Sequence, residues 1–204
     1  MRVSIAFIFS LLTSTFIGAS AHALLETRVT YTGLLASPSF SDLYSGNGNL
    51  PDKTAHHGLG IDALMSVNET QWNLGLRYEN LGMKTTSSQV EFKANHTRTA
   101  FLVNYRHLDA EKILGVVGTV GVSHSGVIKC NENEVAKSEF SSNKTSSYSI
   151  GVEAGIRFID FIIGVEVGYL NYPWPGAGDA ISNDLKRDID MSGNYGKLIL
   201  GFGI

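Results

Sequence analysis

The pair His124–Ser125, in the run SHSG, is the first place where this chain could do chemistry. Hydrolysis by a serine needs a base within reach of the hydroxyl and an acid to orient that base. The late run YLNYPWPGAGDAISNDLKRDIDMSG has several acids but no histidine to complete such a set. His56–His57 and His96 are the other imidazole candidates. Neighbours at i and i+1 in a loop converge poorly on one metal ion, so a solvated pair is expected at His56–His57. Cys130 is the one cysteine, so no disulfide framework is available. It either pairs between molecules or stays a free thiol. The expectation is therefore no enzyme, no metal and no cofactor.

A second set of polar residues has a clearer order. Glu26, Arg28, Asp62, Arg77, Glu79, Arg98, Arg106, Glu153, Arg157, Glu166 and Lys197 each occupy the polar side of an alternating run. In YSIGVEAGIRF, Tyr148, Ile150, Val152, Ala154, Ile156 and Phe158 oppose Ser149, Gly151, Glu153, Gly155 and Arg157. Five acids and six bases nearly balance, which suits an interlocked polar network, because unpaired buried charge is costly. Asp62, Glu153, Glu166 and Lys197 fall near the middle of their runs. Glu26, Glu79, Arg98 and Arg106 lie near run ends, where they either join the network or are solvated.

These residues need strands to position them. Period-2 alternation recurs in LETRVTYTGLL, GLGIDALM, QWNLGLRYE, RTAFLVNYR, ILGVVGTVGVS, YSIGVEAGIRF, FIIGVEVGY and the closing GNYGKLILGFGI. That predicts an all-β chain of eight antiparallel strands joined as sequential hairpins. The connections alternate long (about 36–57, 80–97, 124–147 and 170–192) and short, which puts all long loops at one end. Such asymmetry belongs to transmembrane barrels, in which the apolar face meets lipid and the polar face fills the lumen. Aromatic placement agrees. Trp72, Tyr105, Phe158, Phe161 and Phe202 fall at one level of the apolar face, and Tyr78, Tyr148 and Tyr169 at the other, with aliphatic residues between. Two girdles at two membrane–water interfaces would be arranged in this way.

The chain opens with a basic residue, an apolar stretch and two small-x-small sites, the order of a secretory signal. Residues 1–23 are expected to be a signal peptide cleaved after Ala21 or Ala23, and 24–204 a single barrel domain. A formal net charge of -3 is not that of a nucleic-acid binder. In YPWPGAGD, Trp174 between two prolines reads as a rigid turn above the upper girdle, with a ligand-contacting loop tip as the sharper alternative.

Over residues 24–204 the chain resembles the small eight-stranded outer-membrane barrels of Gram-negative bacteria, the OmpA transmembrane-domain and OmpX-like group. Such barrels finish on a strand read by the outer-membrane assembly machinery, and Lys197, Phe202 and Ile204 sit at matching positions; Ile199 replaces the usual glycine and Ile204 the terminal aromatic. The resemblance implies the bacterial outer membrane as location, with outer-membrane lipid, lipopolysaccharide and the assembly machinery as partners. Lipid A deacylase barrels carry a His-x-Ser arrangement near the chain end, which this chain lacks. The expected role is envelope structure or surface interaction through four long extracellular loops. A narrow pore is the alternative and a lipid-modifying enzyme the third reading.

Overall fold

The computed structural model describes residues 25–36, 54–67, 70–87, 90–107, 111–142, 145–181 and 186–203. The signal-like start, the stretch 37–53 and Ile204 lie outside the described residues. Among the described residues there are eleven strands: β1 Leu25–Ala36, β2 Thr54–Ser66, β3 Trp72–Ser87, β4 Val90–Arg106, β5 Lys112–Glu132, β6 Val135–Ser142, β7 Ser146–Phe158, β8 Phe161–Asn171, β9 Pro173–Asp179, β10 Lys186–Asp190 and β11 Gly193–Gly203. Eight of them, β1 to β5 with β7, β8 and β11, form a closed antiparallel ring. The ring shuts where β1 pairs with β11, from Glu26↔Gly203 to Ala36↔Gly193. Closure leaves the ring without a free edge, which a spanning sheet needs because hydrocarbon offers no hydrogen-bond partners.

Three of the four stretches expected as long loops, 80–97, 124–147 and 170–192, are largely strand. β3 and β4 pair from Trp72↔Tyr105 up to Ser87↔Val90, across the whole of the expected loop 80–97. β5 runs for 21 residues and changes partner on the way. Its lower part, Lys112 to Val122, pairs with β7. Its upper part, Gly126 to Glu132, pairs with β6 through a tight turn whose Asn133 and Glu134 both have positive φ, the geometry of a hairpin turn matched to strand twist. A bulge lies opposite Thr97 and Arg98, where His124 is the extra residue. β9 and β10 form a further hairpin joined to β6.

The reason the long stretches stay regular is a change of solvent along one strand. On β3, Leu74, Leu76 and Tyr78 are exposed on the exterior, whereas Leu81 and Met83, of opposite parity, are buried. On β4, Phe101 and Tyr105 face out while Val90, Phe92 and Ala94 are buried. Below the switch the apolar face meets lipid; above it the same sheet meets water, so the apolar face turns inward. The buried residues Leu34, Leu81, Phe92, Ile128, Phe140, Tyr172, Trp174 and Met191 make a conventional apolar core above the barrel. We refer to this hairpin sheet and its core as the cap. The molecule therefore has two interiors of opposite polarity, stacked end to end.

Candidate functional site

The lumen is filled by the charged residues that alternation places on the inner face. At the terminus-bearing end, Arg106 donates to Glu26 at 2.7 and 3.0 Å and to Glu153 at 3.0 Å. Arg28 donates to Glu153 at 3.1 and 3.2 Å and is also bonded to Glu26. Arg157, the least buried of the set, reaches Glu26 at 3.3 Å, and the Asn104 amide donates to Glu153 at 2.6 Å. In the middle, Arg77 is clamped between two carboxylates, with Asp62 at 2.8 and 2.9 Å and Glu166 at 2.7 and 3.0 Å. The Tyr195 hydroxyl donates to Glu166 at 2.6 Å. Gly151 and Gly168 make room for that ring; a Cβ at either would stand within 2.8 Å of the hydroxyl.

The top layer centres on Glu79. It accepts from Lys197 at 2.5 Å, from Arg98 at 2.7 Å and from Thr32 at 3.4 Å. Arg98 also donates to Ser147 at 2.7 Å and is bonded to Thr119, whose hydroxyl meets Ser149 at 2.6 Å. Glu26, Glu79, Arg98 and Arg106, expected near run ends, are all buried and paired rather than solvated, and Glu79 and Arg98 fall in the middle of the longer β3 and β4. The alternation already puts Ser149 on the polar side; Thr32, Asn104, Thr119, Ser147 and Tyr195 join the network as well, although the expectation for it named charged residues alone. The signal for most of them is parity with a charge of the same strand, as Thr32 has with Arg28, Asn104 with Arg106, Ser147 with Arg157 and Tyr195 with Lys197.

The exterior is the inverse. Trp72, Tyr105, Phe158, Phe161 and Phe202 are exposed at the level of the termini, and Tyr78, Tyr148 and Tyr169 at the cap end. Trp72 meets Tyr105 edge-on at 4.8 Å, and Phe161 meets Phe202 at 5.6 Å. Between the girdles the outward positions are mainly aliphatic, such as Ile61, Val116, Ile150, Val165 and Leu200, with Phe101 among them. An exposed apolar band of that extent is a lipid-contacting surface.

The chemical candidates do not assemble. His124 and Ser125, side by side at the bulge, engage different partners on the exterior: His124 Nε2 meets Thr99 Oγ1 at 2.7 Å, and Ser125 Oγ meets Thr97 Oγ1 at 3.1 Å. His56 and His57 are not a solvated loop pair. They lie in β2 and point to opposite faces, His57 stacking on Tyr31 outside and His56 buried beside His96 at 5.4 Å. Trp174 is not at a turn resting on the interface; it is buried in the cap, edge-on to His96 and Tyr172. Its place depends on Gly126, where a Cβ would lie 2.3 Å from the indole. Cys130 is buried near the hairpin tip, beyond the membrane-spanning part of β5, and burial pushes its thiol up to about 11. A thiol held protonated is a poor nucleophile and a poor metal ligand. Among the described residues no three His, Cys, Asp or Glu side chains are grouped to hold a metal ion.

A closed eight-stranded ring, a polar lumen and an apolar belt between aromatic girdles define a transmembrane β-barrel. No protein-family model matches the sequence, and no curated protein matches it. Among solved structures, it is similar to the outer membrane protein OprG of Pseudomonas aeruginosa, with a TM-score of 0.49 and 11% identity, over 89% of this chain and 96% of that one. Neisserial surface protein A gives a TM-score of 0.47 at 10% identity, over 88% and 96% of the two chains. The outer membrane protease OmpT of Escherichia coli gives 0.46 at 11%, over 89% and 96%. Likenesses at these scores decide nothing about this chain, and the barrel stands on its own strand register.

Proposed function

We propose that this chain is an integral outer-membrane protein of a Gram-negative bacterium, non-enzymatic and non-conducting, that serves envelope structure or surface interaction through its cap. The observation that carries this reading is the filled lumen: three layers of paired charge, with the apolar core of the cap stacked above them. An eight-stranded ring has interior width only for side chains. What is offered to the outside is then the hairpin sheet of β3 to β6 with β9 and β10.

Planar-bilayer recording tests the closed lumen. Silence at high protein load is expected, and reproducible single-channel steps would overturn the reading in favour of a narrow pore. Mass analysis of lipid A with and without the protein tests the absence of lipid chemistry; a new lipid A species would sink it. We also assign the last strand, through Lys197, Phe202 and Ile204, as the segment read by the assembly machinery. Phe202→Ala should lower the amount recovered in outer-membrane fractions, and unchanged recovery would remove that assignment.

A further inference from the structure

The exterior face of the cap carries an arrangement that packing does not require. Lys84 on β3 stands directly opposite Lys93 on β4, and Lys93 directly opposite Lys129 on β5. Their side chains are 60%, 49% and 50% exposed. Like charges directly opposed across strands are destabilising, so this row of three is a cost to the fold. Two carboxylates offset part of it. Glu91 takes Lys84 and Lys93, each at 2.6 Å, and Glu139 takes Lys129 at 3.0 Å.

The carboxylates are placed to one side. Glu91 lies two residues further from the barrel than Lys93, and Glu139 lies beside Lys129 on β6. Toward the membrane the next exterior rows are Gly82, Asn95 and Val127, then Asn80, Thr97 and Ser125, with no acid among them. A ligand rising from the membrane thus meets amides and hydroxyls first and ammonium groups last. Among the described residues the row lies on one side of the barrel. The exterior positions at the cap ends of β1, β2, β8 and β11 are Leu35, Ala55, Asn171 and Asn194, none of them a cation.

Height selects the ligand. Lys84 is six residues beyond Tyr78, about 20 Å along the strand and so about 15 Å above the girdle at the usual barrel tilt. The headgroup layer of a phospholipid leaflet is only about 5–8 Å deep. Its phosphates stop well short of the lysine row.

We propose that the exterior of β3, β4 and β5 is a docking strip for lipopolysaccharide. The aliphatic belt takes its acyl chains, Asn80, Asn95, Thr97 and Ser125 take sugar hydroxyls, and Lys84, Lys93 and Lys129 take the phosphates or acid groups of its core sugars. This assignment rests on the outer-membrane reading above.

The test compares the wild-type protein with the triple variant Lys84→Gln/Lys93→Gln/Lys129→Gln, and with Lys186→Gln on β10 as a control. Each is refolded into phosphatidylcholine vesicles and checked for the band shift of a folded barrel on unboiled gels. Absence of the shift in the wild type would overturn the membrane reading itself. Binding is then measured against lipopolysaccharide that keeps its phosphorylated core and against lipid A without core sugars. For core-bearing lipopolysaccharide the triple variant should bind at least about five-fold more weakly in 0.1 M salt, taking one net cation at the membrane surface as the minimum lost. The Lys186→Gln control should match the wild type, and lipid A alone should not distinguish the triple variant. Equal binding of core-bearing lipopolysaccharide by the triple variant and the wild type would overturn the proposal. So would an equal loss on lipid A, because it would place the anion contact at the wrong height.

Discussion

Glu79→Gln is the sharpest test of whether the lumen is dry. The substitution keeps the shape, turns one of the two acceptor oxygens into an NH2 donor, and removes one charge from a residue 2% exposed. Two cations depend on that charge. Arg98 keeps Ser147 and Thr119, but Glu79 is the carboxylate it bridges. Lys197 meets Glu79 at 2.5 Å; beyond it the ammonium has the Tyr195 ring, 5.5 Å from the nitrogen, and Glu166, directly opposite on β8 and already bonded to Arg77 and Tyr195. Breaking a buried pair strands a charge and costs about 3–5 kcal/mol, whereas an exposed pair is worth about 0–1 kcal/mol. In a closed lumen Glu79→Gln should therefore destabilise the barrel by about 3–5 kcal/mol. Adding Lys197→Met removes the stranded cation, so the double variant should recover about 2 kcal/mol or more of that loss. The measurement is urea unfolding in phosphatidylcholine vesicles, read by tryptophan fluorescence and by the band shift. A cost under about 1 kcal/mol for Glu79→Gln, with no recovery in the double variant, would mean that water screens the top layer and that the plug is not closed there.

Three further outcomes are expected. Leu198→Arg, mid-strand on the lipid face between Tyr31 and Val165, should cost about 2–4 kcal/mol in the same unfolding measurement; a neutral result would mean that the barrel is inside out. Gly126→Ala should expel Trp174 from its slot, seen as a red shift in emission and faster proteolysis of the cap, while the band shift of the ring survives. Loss of the band shift as well would show that the ring cannot form without the cap. Cys130, buried and with its thiol pushed up to about 11, should resist a maleimide at pH 7.5 in the folded protein and react once the chain is unfolded. Prompt labelling of the folded protein would refute the buried placement.

The eight barrel strands and the identity of the lumen charges were legible because lipid outside and charge inside impose a strict period of two. Tyr148 to Phe158 shows it best, since each apolar residue there faces out. The cap was not legible by the same rule. Leu81 and Met83, or Phe92 and Ala94, are apolar residues of the wrong parity for a lipid face, and read against a single exterior they look like loop. They become a pattern only when the strand is allowed to pass from one solvent into another. His56 and His57 failed for the same reason: taken as loop neighbours they would share a surroundings, but in a strand they part to opposite faces. Trp174 depended on Gly126, 48 positions earlier in the numbering, and nothing local to either residue links them.

The opposite polarity of the two interiors also gives assembly a direction. Segments bearing Lys84, Glu91, Lys93, Lys129 and Glu139 must cross the membrane as open chain, because each charge is costly in hydrocarbon, by about 2.5–3.5 kcal/mol for Lys or Asp at mid-depth on insertion scales. Once across, they pair up and close over Phe92, Phe140 and Trp174. Withdrawing the barrel would first require that core to be opened into water. The cap works as a barb: easy to thread unfolded, hard to pull back folded.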